Sequence, residues 1–391
     1  MHYFWTALFG AIAAAWIVQA TRATLGMARV PELTDSAPIA DAKAPSISVI
    51  FAARDEAEKL SSALATLLAQ DYPRYEVIAV NDRSTDATGA IMEALARAHA
   101  GRLEALQVAE LPAGWLGKTH AMVCAARRAI GEYRPEILLF TDGDVVFRED
   151  AIRRALAQVE TTRADHLILM PTLVARSHSE AMMLAYVQTM SMWAARSWRA
   201  ADPKALDDAF GVGAFNLIRT GAYEQLGGYE ATPMEVLEDL MLGRRVKRAG
   251  LRQRVATGPG MVRVHWAPGV GGLVRGLTKN IFAVFGYRTA RLLAAAAGVL
   301  LISVAPVGFL ALRATRIPAL LSLAAVAGMY ALSARSTRIP AWYAVFFPVA
   351  ALITVYSMMR SMLVSLWRGG VTWRGTFYPL AELRRQRSDQ P

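Results

Sequence analysis

The chain has 391 residues, 54% of them hydrophobic and only 19% charged, against about a quarter charged in an ordinary soluble domain. That length and apolar content exclude a disordered chain or a single small binding module, and allow one large domain with further segments. Lys and Arg number 43 against 32 Asp and Glu, a formal +11, which suits phosphorylated small molecules, anionic lipid or nucleic acid; with Cys124 as the only cysteine, an intrachain disulfide framework is excluded.

The first predicted element is an anchor. Tyr3 to Ala20 carry no charge, and Arg22 and Arg29 follow. A cleaved signal peptide would have basic residues before the apolar run, so residues 1–25 are read as an uncleaved transmembrane anchor with the central region on the cytoplasmic side.

From residue 45 to 265 short β-rich runs alternate with amphipathic helical stretches, the pattern of a mainly parallel α/β sheet. Strands are predicted at Ile47 to Ala53, Tyr75 to Val80, Leu103 to Val108 and Glu136 to Phe140. Helices are predicted at Glu56 to Gln70, Thr88 to Ala100 and Lys118 to Gly131. Ligands of such sheets lie beyond the carboxyl ends of the strands. Arg54, Asp55 and Glu56 follow the first strand, Asn81 and Asp82 the second, and Asp142, Gly143 and Asp144 the fourth. Taken singly, Asp55 and Asp86 read as helix caps or turns.

Carboxylates converging on one sheet edge repel unless a cation or donors intervene, so a divalent metal is expected there. Oxygen ligands suit Mg²⁺ or Mn²⁺, and no Cys or His cluster has zinc spacing. In extended chain Asp142 and Asp144 would face one side, with Gly143 allowing a ligand close approach. Lys118, following Gly117 near a predicted helix start, is the candidate second positive charge for a phosphate; the alternative is a solvated surface lysine.

Further along, Glu180 to Arg199 is rich in Met, Trp and aliphatic residues, and reads as an interfacial helix beside a lipid's entry path or as ordinary core. Glu238 and Asp239 form an acidic pair. Adjacent helical residues point about 100° apart, so the two cannot share one role: if one is a base, the other orients or contacts an acceptor; a helix N-terminal charge is the alternative reading. Residues 266–290 are read as interfacial. Residues 291–360 hold three charge-free stretches, Leu292 to Leu312, Ile317 to Ala334 and Ile339 to Met359, expected as transmembrane or re-entrant helices with kinks at Pro306 and Pro348. Three full spans would put the basic tail, 361–391, outside, against the positive-inside tendency. Either one segment is re-entrant or interfacial, or Asn280 to Tyr287 enters the bilayer.

Six stretches carry a resemblance: FAARDEAEKL (51–60), QDYPRYEVIAVNDRSTDAT (70–88), GWLGKTHA (114–121), FTDGDVVF (140–147), GAFNLIRTGAYEQLGGYE (213–230) and LEDLMLGRRVKRAG (237–250). In this order they resemble the family 2 glycosyltransferases with a GT-A fold, over residues 45 to 285. The resemblance implies a membrane-bound inverting enzyme moving a sugar from a nucleotide-sugar, a UDP-sugar, to a hydroxyl. It implies that Arg54, Glu56 and Asp82 hold the nucleotide, with Glu56 and Asp82 on the uridine ribose and base. Asp142 would lie near ribose and metal, Asp144 on the metal under the diphosphate, and Asp239 would be the catalytic base.

The Gln-x-x-Arg-Trp element of processive polysaccharide synthases has only Val262-Arg263-Val264-His265-Trp266 as a counterpart, which argues against long polymers. Arg275, Lys279 and Asn280 in RGLTKNIF resemble a basic element of membrane glycolipid synthases, where they could face phosphate or acceptor, Trp266 being grouped with them; an interfacial anchor is the alternative reading. WRGGVTWRGTFY (367–378) resembles the tail of lipid-modifying relatives. The expectation is a lipid acceptor at a cell inner membrane. A polysaccharide-chain glycosyltransferase and a nucleotidyltransferase on a similar sheet are the alternatives; no nucleic-acid recognition motif is seen.

Overall fold

The computed structural model describes residues 2–388. They divide into two compact units. One comprises Val30–Thr172 and Ser197–His265; the other comprises the residues up to Arg29, Leu173–Arg196 and Trp266–Arg384. The α/β region is therefore not continuous in sequence, because residues 173–196 leave it for the helical unit. The chain opens in the helical unit with α1 (His2–Met27).

In the α/β unit the apolar runs become strands and the amphipathic stretches become helices: β1 (Ile47–Ala53), α2 (Ala57–Leu68), β2 (Tyr75–Asp82), α3 (Thr88–Ala98), β3 (Leu103–Val108), α4 (Gly117–Arg128) and β4 (Ile137–Asp142). The short β5 (Val146–Phe147) and α5 (Ala151–Thr162) precede β6 (His166–Leu169), after which β7 (Thr172–Leu173) leads out to α6 (His178–Ala194). On return come β8 (Asn216–Arg219), α7 (Thr220–Gln225), α8 (Glu238–Arg248), β9 (Gln253–Ala256) and β10 (Val262–Val264).

The main sheet has seven strands in the order β3-β2-β1-β4-β8-β6-β9. Strands β3, β2, β1 and β4 run parallel, β8 is antiparallel to both β4 and β6, and β6 and β9 are parallel. The chain winds from β1 through β2 to β3 and then returns to the other side of β1 as β4. That reversal opens a crevice at the carboxyl ends of β1 and β4.

Both faces of the sheet are covered, which is why β1 and β4 are nearly continuous apolar runs. Val49 and Phe51 of β1 face one core with Leu60, Leu64 and Leu67 of α2, Met92 of α3 and Leu156 of α5. Ile50, one residue out of phase, faces the second core with Met122 and Ala125 of α4 and Leu242 and Val246 of α8. Each of these Val, Leu, Ile, Phe and Met side chains, fully buried, contributes about 1.5–3 kcal/mol.

The helical unit continues with α9 (Gly269–Val284), α10 (Thr289–Val299), a π-helical turn at Leu300–Val304, α11 (Ala305–Gly308), α12 (Arg316–Thr337) and α13 (Phe347–Trp367). A hairpin of β11 (Gly370–Trp373) and β12 (Thr376–Pro379) leads into α14 (Leu380–Ser388). Among the described residues four segments are long and apolar enough to cross a membrane: Tyr3–Met27, Thr289–Ala311, Arg316–Arg335 and Ala341–Trp367. Helix α6 packs among them through Met183, Leu184 and Tyr186, with the Tyr186 and Phe347 rings 5.1 Å apart.

The two prolines behave differently. Pro306 lacks the N–H that would bond the carbonyl four residues back, that of Ile302, and the Trp16 indole N–H donates to that carbonyl at 3.0 Å instead. Pro348 is not a kink. It stands in the first turn of α13, where the missing N–H is one of the donors that helix geometry leaves unpaired anyway. At the start of α6, Ser177 caps the Glu180 N–H, and the buried Glu180 carboxylate accepts from Arg176 N at 2.7 Å and from Gly269 N, the first residue of α9, at 2.6 Å.

Candidate active site

The polar residues after β1 and β2 are stitched into one rim. Asp55, at φ 53°, accepts from the Thr85 N–H at 2.8 Å, while its own N–H donates to Ser84 Oγ at 3.1 Å. Asp86 accepts from Ala57 N and Thr88 N at 3.1 and 2.9 Å, and the Glu56 N–H donates to Thr88 Oγ1 at 2.9 Å. Asp55 and Asp86 therefore serve as turn and cap residues, and bonds to Thr88 hold the Asp86 carboxyl below the usual carboxylate range. Arg54 lies mostly buried beside Asp55, with Nε 3.9 Å from its carboxylate.

At the tip of β2, Asp82 is buried and pairs with Arg83 through two hydrogen bonds of 2.7 and 3.2 Å. Gly117, the first residue of α4, lies so close that a Cβ would stand 2.4 Å from both the Asp82 carboxylate and the Arg83 guanidinium. Glycine here lets the helix start come down onto the sheet edge. It also brings the next residue, Lys118, into the crevice. Leu116 N donates to the Pro233 carbonyl at 2.9 Å, so the approach to α4 is tied to the segment that precedes α8.

Lys118 is not a surface lysine. Its Nζ lies 2.6 Å from Asp142 Oδ1 and 2.7 Å from Glu238 Oε1. Burial alone would push the ammonium down, but Asp142, Glu238 and Asp239 together hold it well above its ordinary value. Glu238 and Asp239 occupy the first turn of α8, whose N–H groups favour negative charge. One cation cannot satisfy three carboxylates. Burial, with Asp239 adding to it, pushes the Glu238 carboxyl up to about 7 despite Lys118. Burial likewise raises Asp239, opposed by Lys118 and by bonds from the Leu240 and Gly213 backbones. The Leu240 N–H donates to Asp239 Oδ1 at 2.7 Å.

Asp142 and Asp144 do not share one side of a strand. β4 ends at Asp142, and Gly143 and Asp144 form a turn. Asp142 bonds Lys118, whereas Asp144 bonds Lys59 of α2 at 3.1 Å. Gly143 does not leave room for a ligand either: a Cβ there would come within 3.2–3.3 Å of Ala53 and Phe51. Gly213 is the glycine that faces Asp142, with a Cβ position 2.7 Å from Oδ2. Lys59 and Gly213 are absent from the residues singled out by sequence. The signal for Lys59 was a lysine one turn after Glu56 inside FAARDEAEKL; for Gly213 no local signal exists.

Asp142 and Asp144 offer hard carboxylate oxygens, the donor type of Mg²⁺ and Mn²⁺. Among the described residues no group of three or more His, Cys, Asp or Glu is gathered as a metal cage. Mg²⁺ is commonly held by one or two carboxylates with substrate phosphates and water completing its shell, and these two partly exposed aspartates fit that pattern. Trp266, Arg275 and Lys279 belong to the helical unit. There Trp266 is exposed, and Lys279 Nζ stands 4.9 Å from the Trp373 ring centre.

A mainly parallel sheet with acids at its strand ends, and a half-buried lysine on the helix that starts beside them, at a winding reversal has the architecture of nucleotide-binding α/β enzymes. Residues 44–270 match the model of the glycosyltransferase-like family 2, more than half of the chain; the chain belongs to that family, and is a glycosyltransferase with the GT-A fold. No curated protein matches it. Among solved structures, a mannosyltransferase from Pyrobaculum calidifontis in complex with GDP-Man and Mn²⁺ is 20% identical. It superposes with a TM-score of 0.53 over 92% of this chain and 99% of that one. S. aureus TarS residues 1–349 in complex with UDP-GlcNAc are 16% identical, with a TM-score of 0.45 over 85% and 96% of the two chains.

Proposed function

We propose that this glycosyltransferase moves a sugar from a nucleoside diphosphate sugar, a UDP-sugar in the first instance, to a hydroxyl of a lipid acceptor. The observation that carries this reading is the part-buried cluster at the carboxyl edge of the sheet, where Lys118 bridges Asp142 and Glu238 beside Asp239. In the proposed reaction the acceptor oxygen attacks the anomeric carbon, and the bond from that carbon to the diphosphate oxygen breaks with its electron pair leaving on the diphosphate. The hydroxyl proton passes to Asp239. Burial makes Asp239 a stronger base than an exposed aspartate. A single displacement of this kind inverts the anomeric centre.

Lys118 supplies a fixed positive charge where the leaving diphosphate develops its own, which stabilises the transition state more than the ground state. Asp82, held by Arg83, and Glu56, at the start of α2, are the groups offered to ribose and base. Asp142 and Asp144 would hold a divalent ion, which when bound neutralises diphosphate charge. The mannosyltransferase of similar fold binds GDP-Man with Mn²⁺, which supports a nucleotide-sugar donor and a divalent ion here.

A lipid acceptor is supported by the four apolar segments, one before the family 2 region in sequence and three after it, and by the exposed Trp266 with Arg275 and Lys279 in α9 as groups for an acceptor or its phosphate. Arg22 and Arg29 after the first apolar run support an inner-membrane protein with its α/β unit in the cytoplasm. The test incubates the protein in native-membrane vesicles with labelled UDP- and GDP-sugars and Mn²⁺ or Mg²⁺, followed by organic extraction. Label in the lipid phase, dependent on one donor and on the ion, is expected; label only in water-soluble polymer would contradict the lipid acceptor.

A further inference from the structure

Beneath the acid pair of α8 lies a polar network that the reaction does not touch. His166 of β6, Asn216 of β8 and Gln253 of β9 are all essentially inaccessible to solvent. Their orientations follow from one unambiguous donor. The Phe210 backbone N–H donates to Gln253 Oε1 at 2.9 Å, so the other end of that side chain is the Nε2 donor. It bonds the Phe210 carbonyl at 2.9 Å and His166 Nδ1 at 2.9 Å. Nδ1 must then be the acceptor and Nε2–H the donor to Asn216 Oδ1, at 2.6 Å. The ring is neutral, as burial, which pulls its pKa down to about 4, also requires.

Gln253 therefore grips both polar groups of Phe210 as a neighbouring strand would. What it grips is wedged against α8. A Cβ on Gly211 would stand 1.9 Å from the Asp239 carbonyl, and one on Gly243 would stand 1.9 Å from the Phe210 carbonyl. Two glycines thus bring the Phe210–Gly211 segment into backbone contact with the first two turns of α8. Two residues on, Gly213 bonds Asp239 and faces Asp142.

We infer that Gln253, oriented by His166, is a positioning residue: it fixes the segment from Phe210 to Gly213 and so sets the placement of Asp239 against Asp142 and Lys118. The inference rests on Asp239 being the base. A buried hydrogen-bonding side chain replaced by an apolar one of similar size leaves the Phe210 N–H and C=O without their partner, and the segment they belong to is the one that holds the carboxylate.

The experiment compares Gln253→Met with wild type, measuring kcat, donor Kd by titration with UDP and with GDP, the pH profile of kcat, and thermal unfolding in detergent. Expected are a fall in kcat of about 10- to 100-fold, a donor Kd within about threefold of wild type, and a displaced acidic limb of the pH profile. Wild-type kcat with an unmoved limb, or an equal loss of donor binding and turnover, would overturn the inference. Should that variant fail to fold, Gln253→Glu keeps an acceptor for the Phe210 N–H and loses the paired donor; a loss of kcat at retained donor Kd supports the assignment, and full kcat overturns it. Asp239→Asn in the same assay separates the two readings. If it is active, the base assignment falls; if it is inactive while Gln253→Met is normal, only the positioning role falls.

Discussion

Lys118 has more carboxylates around it than one cation can neutralise, and Glu238 is the most buried of them. Its carboxyl is raised to about 7 by burial first and by Asp239, against the pull of Lys118. For a carboxyl whose folded pKa lies above its unfolded value, the folded state binds the extra proton between the two values, so stability falls as pH rises through that window. The window here runs from the ordinary glutamate value of 4.5 to about 7, and the change across it is on the order of 3 kcal/mol. Above it the penalty is constant. Glu238→Gln should flatten the fall in thermal unfolding temperature between pH 5 and pH 8 relative to wild type. Parallel pH dependence in the two proteins would show that Glu238 does not titrate in this way.

The backbone of helix α8, which carries both acids, is approached closely by Phe210 and Gly211. Gly211→Ala should lower the unfolding temperature by about 2–12 °C and reduce turnover, since the added methyl meets the Asp239 backbone and overpacking of this kind costs about 1–3 kcal/mol. An unchanged unfolding temperature and rate would mean that the wedge is not tight. At this scale the sequence was a good guide wherever hydrophobic period and turn residues act locally. β1 spans Ile47–Ala53 and β3 spans Leu103–Val108, as their apolar runs predict, and the carboxyl ends of β1, β2 and β4 lie side by side because these strands are adjacent. What eluded sequence reasoning depends on side chains far apart in the chain. The division of Asp142 and Asp144 between Lys118 and Lys59, the packing of Gly143 on Phe51 and the grip of Gln253 on Phe210 have no local signature. Pro348 misled because a proline in an apolar run reads the same at a helix start as at a kink.

Across the whole molecule, a family 2 α/β unit is joined in sequence, among the described residues, to four segments able to cross a bilayer. The central claim is narrower. Acids delivered by β4 and α8 and a lysine delivered by α4 form one reaction centre, with Asp239 taking the acceptor proton. The most direct test sets Asp239→Asn beside wild type in one preparation, measuring nucleotide binding by titration and sugar transfer to extracted lipid. The expected result is nucleotide affinity within about threefold and transfer reduced at least about 100-fold; transfer at the wild-type rate by a folded Asp239→Asn protein would contradict the account.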